Sequence, residues 1–211
     1  MFQDRKDAGR QLSRVLNWYR AVRPLVLGLP RGGVVVGAEV ARALDGELDV
    51  VLVKKLRAPE NPELAVGAVG EDGVVFVNES VRALTGVSDE YLQIERRQRL
   101  AEMAGQRELY RRVRAQVSPA GRTVLVVDDG LATGASMIAA IQTIGLARPG
   151  RLAVAVPVGP AETIAQLRAM PGVDEVVSLL TPRGFEGVGQ FYRDFTQVTD
   201  AEVVELLREA A

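Results

Sequence analysis

The chain has 211 residues and a formal net charge of −1, from 26 basic and 27 acidic side chains. This length suits one domain with a full hydrophobic core, and the balanced charge excludes a global basic field that would hold nucleic acid nonspecifically. Because the sequence has no cysteine and no histidine, disulfides, thiolate chemistry and Ser-His or Cys-His nucleophiles are excluded. A bound metal would therefore be a hard, oxygen-liganded ion, and magnesium is the natural candidate.

The first half of the chain is predicted to alternate helices with short apolar strands. The predicted elements are a helix over residues 7–19, a strand over 25–29, a helix ending near 44, and strands over 49–53, 65–69 and 74–77. Residues 57–73 are rich in proline, glycine and acidic side chains, and we expect them to form a long flexible loop around the short strand at 65–69.

The second half repeats the alternation. Its predicted elements are a helix over 88–114 capped by Ser88, a strand over 123–127, a helix over 136–146, a strand over 152–156, a helix over 161–170, a strand over 176–179 and a helix over 201–208. The unbroken apolar run 123–127 is typical of a strand covered on both faces. The whole pattern predicts one α/β domain over residues 1–211, with three α/β/α layers and a mainly parallel central sheet.

No apolar run approaches the roughly 18 residues of a membrane span. The first ten residues carry charges of both signs and lack an apolar signal core. We therefore expect a cytoplasmic protein that contacts no membrane.

The most informative segment is Val124–Ser136, where an apolar strand ends in two carboxylates and a loop of small residues leads into a helix. Backbone N–H groups at the start of such a helix form an anion site. Asp128 and Asp129 would repel a bare anion, but they suit hydrogen bonds from sugar hydroxyls or a magnesium ion. A phosphate beside vicinal hydroxyls describes ribose 5-phosphate.

This run resembles the signature of the type I phosphoribosyltransferases. The resemblance implies that Asp128 and Asp129 bind the ribose hydroxyls of 5-phosphoribosyl-1-pyrophosphate (PRPP), with magnesium mostly in their outer shell. It also implies that the 5-phosphate lies on the loop and helix start, at Ala132, Thr133, Gly134, Ala135 and Ser136. The implied reaction is a magnesium-dependent transfer of the phosphoribosyl group to a nitrogenous base, with release of pyrophosphate.

Two further segments resemble the pyrophosphate side of the same family. In the loop after the first strand, Arg31 offers a forked donor, and Gly32 and Gly33 permit close backbone approach. Members of the family often carry a cis peptide in this loop, so we expect one between Pro30 and Arg31. Of the two lysines that end the second strand, 54 and 55, the resemblance favours Lys55 as a pyrophosphate ligand.

The lid and the base site are less defined by sequence. Arg57, Glu60 or Glu63 could reach the site from the flexible loop 57–73. The aromatic-rich segment 181–195 resembles the base-binding hood of purine phosphoribosyltransferases, and Phe185 and then Tyr192 are candidates to stack on a base. Packing of these rings onto the core explains the segment equally well. Because 6-oxopurine enzymes carry an acid where Ala132 stands, the acceptor base stays open.

Three other functions are alternatives to this one. The first is a regulatory protein of the same fold that senses PRPP or nucleotide. The long helix 88–114 carries arginines interspersed with glutamates, which favours a solvated face or a homodimer contact over nucleic-acid binding. A P-loop hydrolase lacks its Gly-x-x-x-x-Gly-Lys element, and a dinucleotide dehydrogenase lacks the G-x-G-x-x-G spacing.

Overall fold

The computed structural model describes residues 1–59, 61 and 64–210. In chain order the strands are β1 (Leu25–Gly28), β2 (Glu47–Val50), β3 (Val53–Arg57), β4 (Ala65–Gly70), β5 (Val75–Val77), β6 (Thr123–Val127), β7 (Arg151–Val158) and β8 (Glu175–Leu180). The helices are α1 (Arg5–Val15), α2 (Gly32–Ala43), α3 (Glu79–Thr85), α4 (Asp89–Arg111), α5 (Ala135–Leu146), α6 (Ala161–Arg168) and α7 (Asp200–Glu209), and short 3-10 helices occupy Asn17–Val22 and Val188–Phe191.

The central sheet has five parallel strands in the order β2–β1–β6–β7–β8. From β1 the chain moves to β2 on one side, and from β6 it moves to β7 and β8 on the other. The carboxyl ends of β1 and β6, where Gly28 pairs with Val127, therefore form the point at which the strand order reverses. Open α/β sheets bind their ligands at such a point.

Helices cover both faces of this sheet. α1, α2 and α7 bury Leu12, Val36 and Leu207 on one face, and α5 and α6 bury Ile141 and Ile164 on the other. The alternating apolar strands of the sheet lie between them, so the predicted three-layer α/β/α architecture is confirmed. No helix in the described part of the chain is both long and apolar enough to cross a membrane.

A second sheet corrects the prediction for residues 49–77. β3, β4 and β5 form an antiparallel sheet between α4 and α5. The predicted strand 49–53 is two strands, because the chain leaves the parallel sheet after Val50 and enters the hairpin at Val53. The apolar run 50–53 carries no signal of that break. Most of the expected loop 57–73 is β4, which buries Val66 and Val69.

Smaller differences concern helix ends. The predicted helix 7–19 is α1 followed by the 3-10 helix Asn17–Val22. α3 was not predicted, although the Asn78 side chain accepts a hydrogen bond from the Val81 N–H and caps it. The predicted Ser88 cap of α4 is confirmed, since its hydroxyl accepts from the Tyr91 N–H at 3.1 Å.

Buried charges fasten α4 to both sheets. Near the end of the helix, Arg111 Nη1 lies 2.6 Å from Asp49 Oδ1 on β2. Its Nε lies 2.8 Å from Glu71 Oε2, just after β4. Both carboxylates are buried, and burying such charges is tolerated when they are paired and hydrogen-bonded. The Arg111 ion pairs thus fix where the rest of α4 lies.

Candidate active site

Asp128 follows β6 directly and sits inside the site. Its Oδ1 accepts a hydrogen bond from the Asp129 N–H at 2.8 Å. Burial raises the pKa of the Asp128 carboxyl well above the ordinary value of 3.8, and the neighbouring charge of Asp129 raises that pKa further. Because no cation lies within ion-pair distance of it among the described residues, the Asp128 carboxylate remains open to a ligand.

Asp129 is held by residues that no sequence motif singles out. Arg5 Nε from α1 donates to Asp129 Oδ2 at 2.6 Å, and Arg5 Nη1 donates to the Thr196 carbonyl at 2.8 Å. The guanidinium also stacks over the Phe195 ring, 3.9 Å from its centroid. The Tyr192 hydroxyl donates to the backbone carbonyl of Asp129 at 2.6 Å. The two acids, predicted as equals, therefore have different surroundings.

The predicted phosphate loop lies at the start of α5. Gly134 precedes the helix in the left-handed conformation at φ 72°, and a Cβ there would meet Thr163 Cγ2 at 2.7 Å. The Thr163 hydroxyl donates to the Ala132 carbonyl at 3.0 Å and holds the loop from α6.

Several donors of this loop are unused. The Ala135 N–H makes a long hydrogen bond of 3.4 Å to Thr133 Oγ1. The N–H groups of Ala132, Thr133, Gly134 and Ser136 have no acceptor within the described residues. Such groups at a helix N-terminus bind anions.

The glycines of the opposite loop pack against the two acids. A Cβ on Gly32 would lie 1.9 Å from Asp129 Oδ2, and one on Gly33 would lie 2.6 Å from the Val127 carbonyl oxygen. Both positions therefore need glycine because of the acids and the end of β6, a requirement that comes before any ligand is considered. The expected cis peptide between Pro30 and Arg31 is present.

Arg31 is tethered to the C-terminal helix. Its Nη1 lies 3.6 Å from Asp200 Oδ2 at the start of α7, and each side chain is about one-third exposed. Asp200 Oδ1 in turn accepts hydrogen bonds from the hydroxyl of Tyr110 and from Gln106 Nε2. The predicted pyrophosphate ligand is thus oriented by an acid from α7.

One cavity of about 320 Å³ joins these segments. It brings together residues from three predicted parts of the site, namely Pro30, Lys54, Lys55, Asp128 and Ser136. Arg57, named in the sequence as a candidate from the lid, also lines it, whereas Glu60 and Glu63 lie outside the described residues. The wall also includes residues of α4, a helix whose charged side chains were predicted to form a solvated face.

The aromatic hood divides into two kinds of ring. Tyr192 is buried, with its centroid 5.2 Å from that of Phe2 and 5.0 Å from that of Phe195. This placement favours the packing interpretation for Tyr192, because neighbouring rings already cover it. Phe185 is only half-buried and stacks on Phe191 at 5.6 Å.

These elements define a phosphoribosyltransferase-like site: an acid pair, an anion-binding helix start and a cationic cavity at the switch point of a parallel sheet. The sequence profile of the phosphoribosyl transferase domain matches residues 3–172, so the chain belongs to this family.

The chain is 44% identical over 210 residues to Rv0571c and MT0597, two Mycobacterium tuberculosis proteins provisionally named as phosphoribosyl transferases. All of the chain is covered by these alignments, and it spans 47% of the length of each relative. The crystal structure of TT1426 from Thermus thermophilus is 47% identical, with a TM-score of 0.93 over 100% of this chain and 99% of that one.

Proposed function

We propose that this chain transfers the 5-phosphoribosyl group of PRPP to a nitrogenous base and releases pyrophosphate. The observation that carries the proposal is the junction of three segments at the ends of β1 and β6. Asp128 is placed between the free N–H groups of the phosphate loop and a cavity lined by lysines and arginines. A sugar with a phosphate at one end and a pyrophosphate at the other has this distribution of charge.

The two acids divide the work on the ribose. Asp128, with no cation beside it, accepts hydrogen bonds from the ribose hydroxyls. Asp129 is neutralised by Arg5 and braces the glycine loop. Its remaining lone pairs are available to a hydroxyl, since a carboxylate accepts more than one hydrogen bond.

Magnesium fits as a substrate-borne ion. In the described part of the chain, no group of three acidic side chains could hold a metal by itself. Mg²⁺ commonly keeps several waters and binds through one or two carboxylates and substrate phosphates. Asp128 and Asp129 would face such an ion through water, and the ion would neutralise charge on the departing pyrophosphate.

The chain itself acts by positioning and electrostatics. The phosphate loop fixes one end of PRPP, and Arg31 with the cavity lysines fixes the other, which holds the ribose C1 carbon in place for attack. Negative charge grows on the leaving pyrophosphate, so the fixed cations stabilise the transition state more than the ground state. No side chain is required to form a covalent intermediate.

The test is pyrophosphate release from PRPP with magnesium, across a panel of purine, pyrimidine and related bases. We expect release with one class of base, and its loss in Asp128→Asn/Asp129→Asn. Asp45→Asn, an exposed acid on the far side of α2, is the matched control and should leave release unchanged. PRPP binding without release for any base would contradict turnover and favour a ligand sensor. No PRPP binding would overturn the assignment of Asp128–Ser136.

A further inference from the structure

One wall of the cavity comes from a helix outside the three segments that resemble the family. α4 contributes Arg99, Met103 and Gln106. These positions are four and three residues apart, so they share one face of the helix. Since Arg111 ties the far end of α4 to the core, this face is held against the cavity.

Arg99 is the charged residue of that face. Its side chain is 11% exposed. Two acids hold it from one side, with Nε 3.1 Å from Glu95 Oε1 and Nη1 2.6 Å from Glu102 Oε1. The Nε–Glu95 contact misses hydrogen-bond geometry, which leaves this buried N–H without an acceptor among the described residues.

The remaining charges of the cavity have the same sign. The side chains of Lys54, Lys55 and Arg57 form no ion pair or hydrogen bond with any residue that the structure describes. Glu95 links Arg57 to Arg99, because its Oε1 also accepts from the Arg57 N–H at 3.1 Å. Asp128 is the one carboxylate among the described lining residues. Such an excess of cations calls for a multiply charged anion.

We propose that Arg99 binds the pyrophosphate group of PRPP and forms the wall of the pyrophosphate site opposite the Pro30–Gly33 loop. The inference rests on the proposed function and adds a ligand to it. The 5-phosphate has its own donors in the loop 132–136, so the cations on β3 and α4 serve the other end of the substrate. Glu95 and Glu102 orient the guanidinium and leave its outer edge for the ligand.

The experiment measures binding of magnesium pyrophosphate and of ribose 5-phosphate to the full chain by calorimetry. Arg99→Gln should weaken pyrophosphate about 10- to 100-fold, the effect of one charge-assisted contact. Binding of ribose 5-phosphate should change less than about twofold, the level at which affinities of intact variants agree. Arg97→Gln, an exposed arginine on the same helix, is the matched control and should change neither affinity.

A second variant separates binding from folding. Arg99→Gln leaves Glu95 buried and unpaired, so Glu95→Gln/Arg99→Gln removes both charges and should fold while still losing pyrophosphate affinity. If these variants bind pyrophosphate like the wild type, or lose both ligands equally with the fold intact, the role of Arg99 is overturned. If the wild type binds neither ligand, the proposed function fails first, and this inference fails with it.

Discussion

The two ends of the site are built in different ways. The ribose and 5-phosphate end is one continuous run, Asp128–Ser136, between β6 and α5. The pyrophosphate end is assembled from the β1–α2 loop, β3 and α4, with Arg31 held from α7. A continuous run keeps its geometry through local turn and helix chemistry, whereas an assembled surface depends on how distant elements pack. The first end is therefore visible as a motif, and the second is visible only in three dimensions.

The strongest way to break this contrast is to separate the ends where they touch. Gly33→Ala places a methyl group 2.6 Å from the Val127 carbonyl oxygen and 2.8 Å from the Asp128 Cα, so backbone must move. We expect the free energy of unfolding to fall by about 1–3 kcal/mol. Both magnesium pyrophosphate and ribose 5-phosphate should bind at least about tenfold more weakly, as measured by denaturant unfolding and calorimetry.

Gly105→Ala is the matched control for that variant. Gly105 lies within α4, and an added Cβ would meet no heavy atom within 4 Å. Alanine there should raise the free energy of unfolding by about 0.5–1 kcal/mol, because it restricts the unfolded chain and favours the helix. Loss of pyrophosphate binding alone in Gly33→Ala would mean that the two ends are mechanically independent.

A smaller effect is expected from changing only the open acid of the continuous end. Asp128→Asn should weaken ribose 5-phosphate by about tenfold, since a hydrogen bond to a charged group contributes about 1.5–3 kcal/mol and the amide keeps part of it. Magnesium-free pyrophosphate should bind no more weakly than to the wild type, because a negative charge has been removed from the cavity. Calorimetry with the two ligands checks this division.

The same variant should be more stable than the wild type at neutral pH. Because the folded-state pKa of Asp128 is raised above 3.8, the native protein holds this proton more tightly than the unfolded chain. Unfolding free energy therefore falls as pH rises from about the ordinary value through the raised pKa. The advantage of Asp128→Asn should be small near pH 3 and grow through that window in thermal unfolding scans. An advantage that does not depend on pH would contradict burial of the charge as its cause.

The smallest effect should come from the residue that orients the assembled end. Asp200→Asn keeps an oxygen for Tyr110 but removes the charge that faces Arg31. The pair is partly exposed, so we expect pyrophosphate to bind only about two- to fivefold more weakly, the range for about 0.5–1 kcal/mol. Glu205→Gln, exposed on the same helix, is the control. Tighter binding in Asp200→Asn would show that Asp200 competes with the ligand for Arg31.

The layers and the continuous end could be predicted from the sequence because both follow from local patterns. Apolar strands, the acid pair and the Thr133–Gly134 step each carry a signal within a few residues. β3 and β4 were missed as a hairpin because one apolar run serves two sheets, and the acids of 57–73 concealed a buried strand.

Other parts of the site had no local signal. Arg5 lies 124 residues from Asp129 in the chain, and only the packing of α1 joins them. Arg99 sits among similar arginines on α4, and nothing in its neighbours distinguishes the one that turns inward. Tyr192 was expected among candidates to face a base, but its hydroxyl is used by the Asp129 carbonyl.

That last hydrogen bond limits how the hood could be exchanged between related proteins. Tyr192 connects the hood to the acid pair, and Phe2 pairs with Tyr192 from the N-terminal end of the chain. A graft of residues 181–195 chosen to recognise a new base would therefore disturb the ribose site unless Tyr192 and its N-terminal partner were kept. For a designer, the interchangeable unit is the outer part of the hood around Phe185, and the inner part belongs to the catalytic frame.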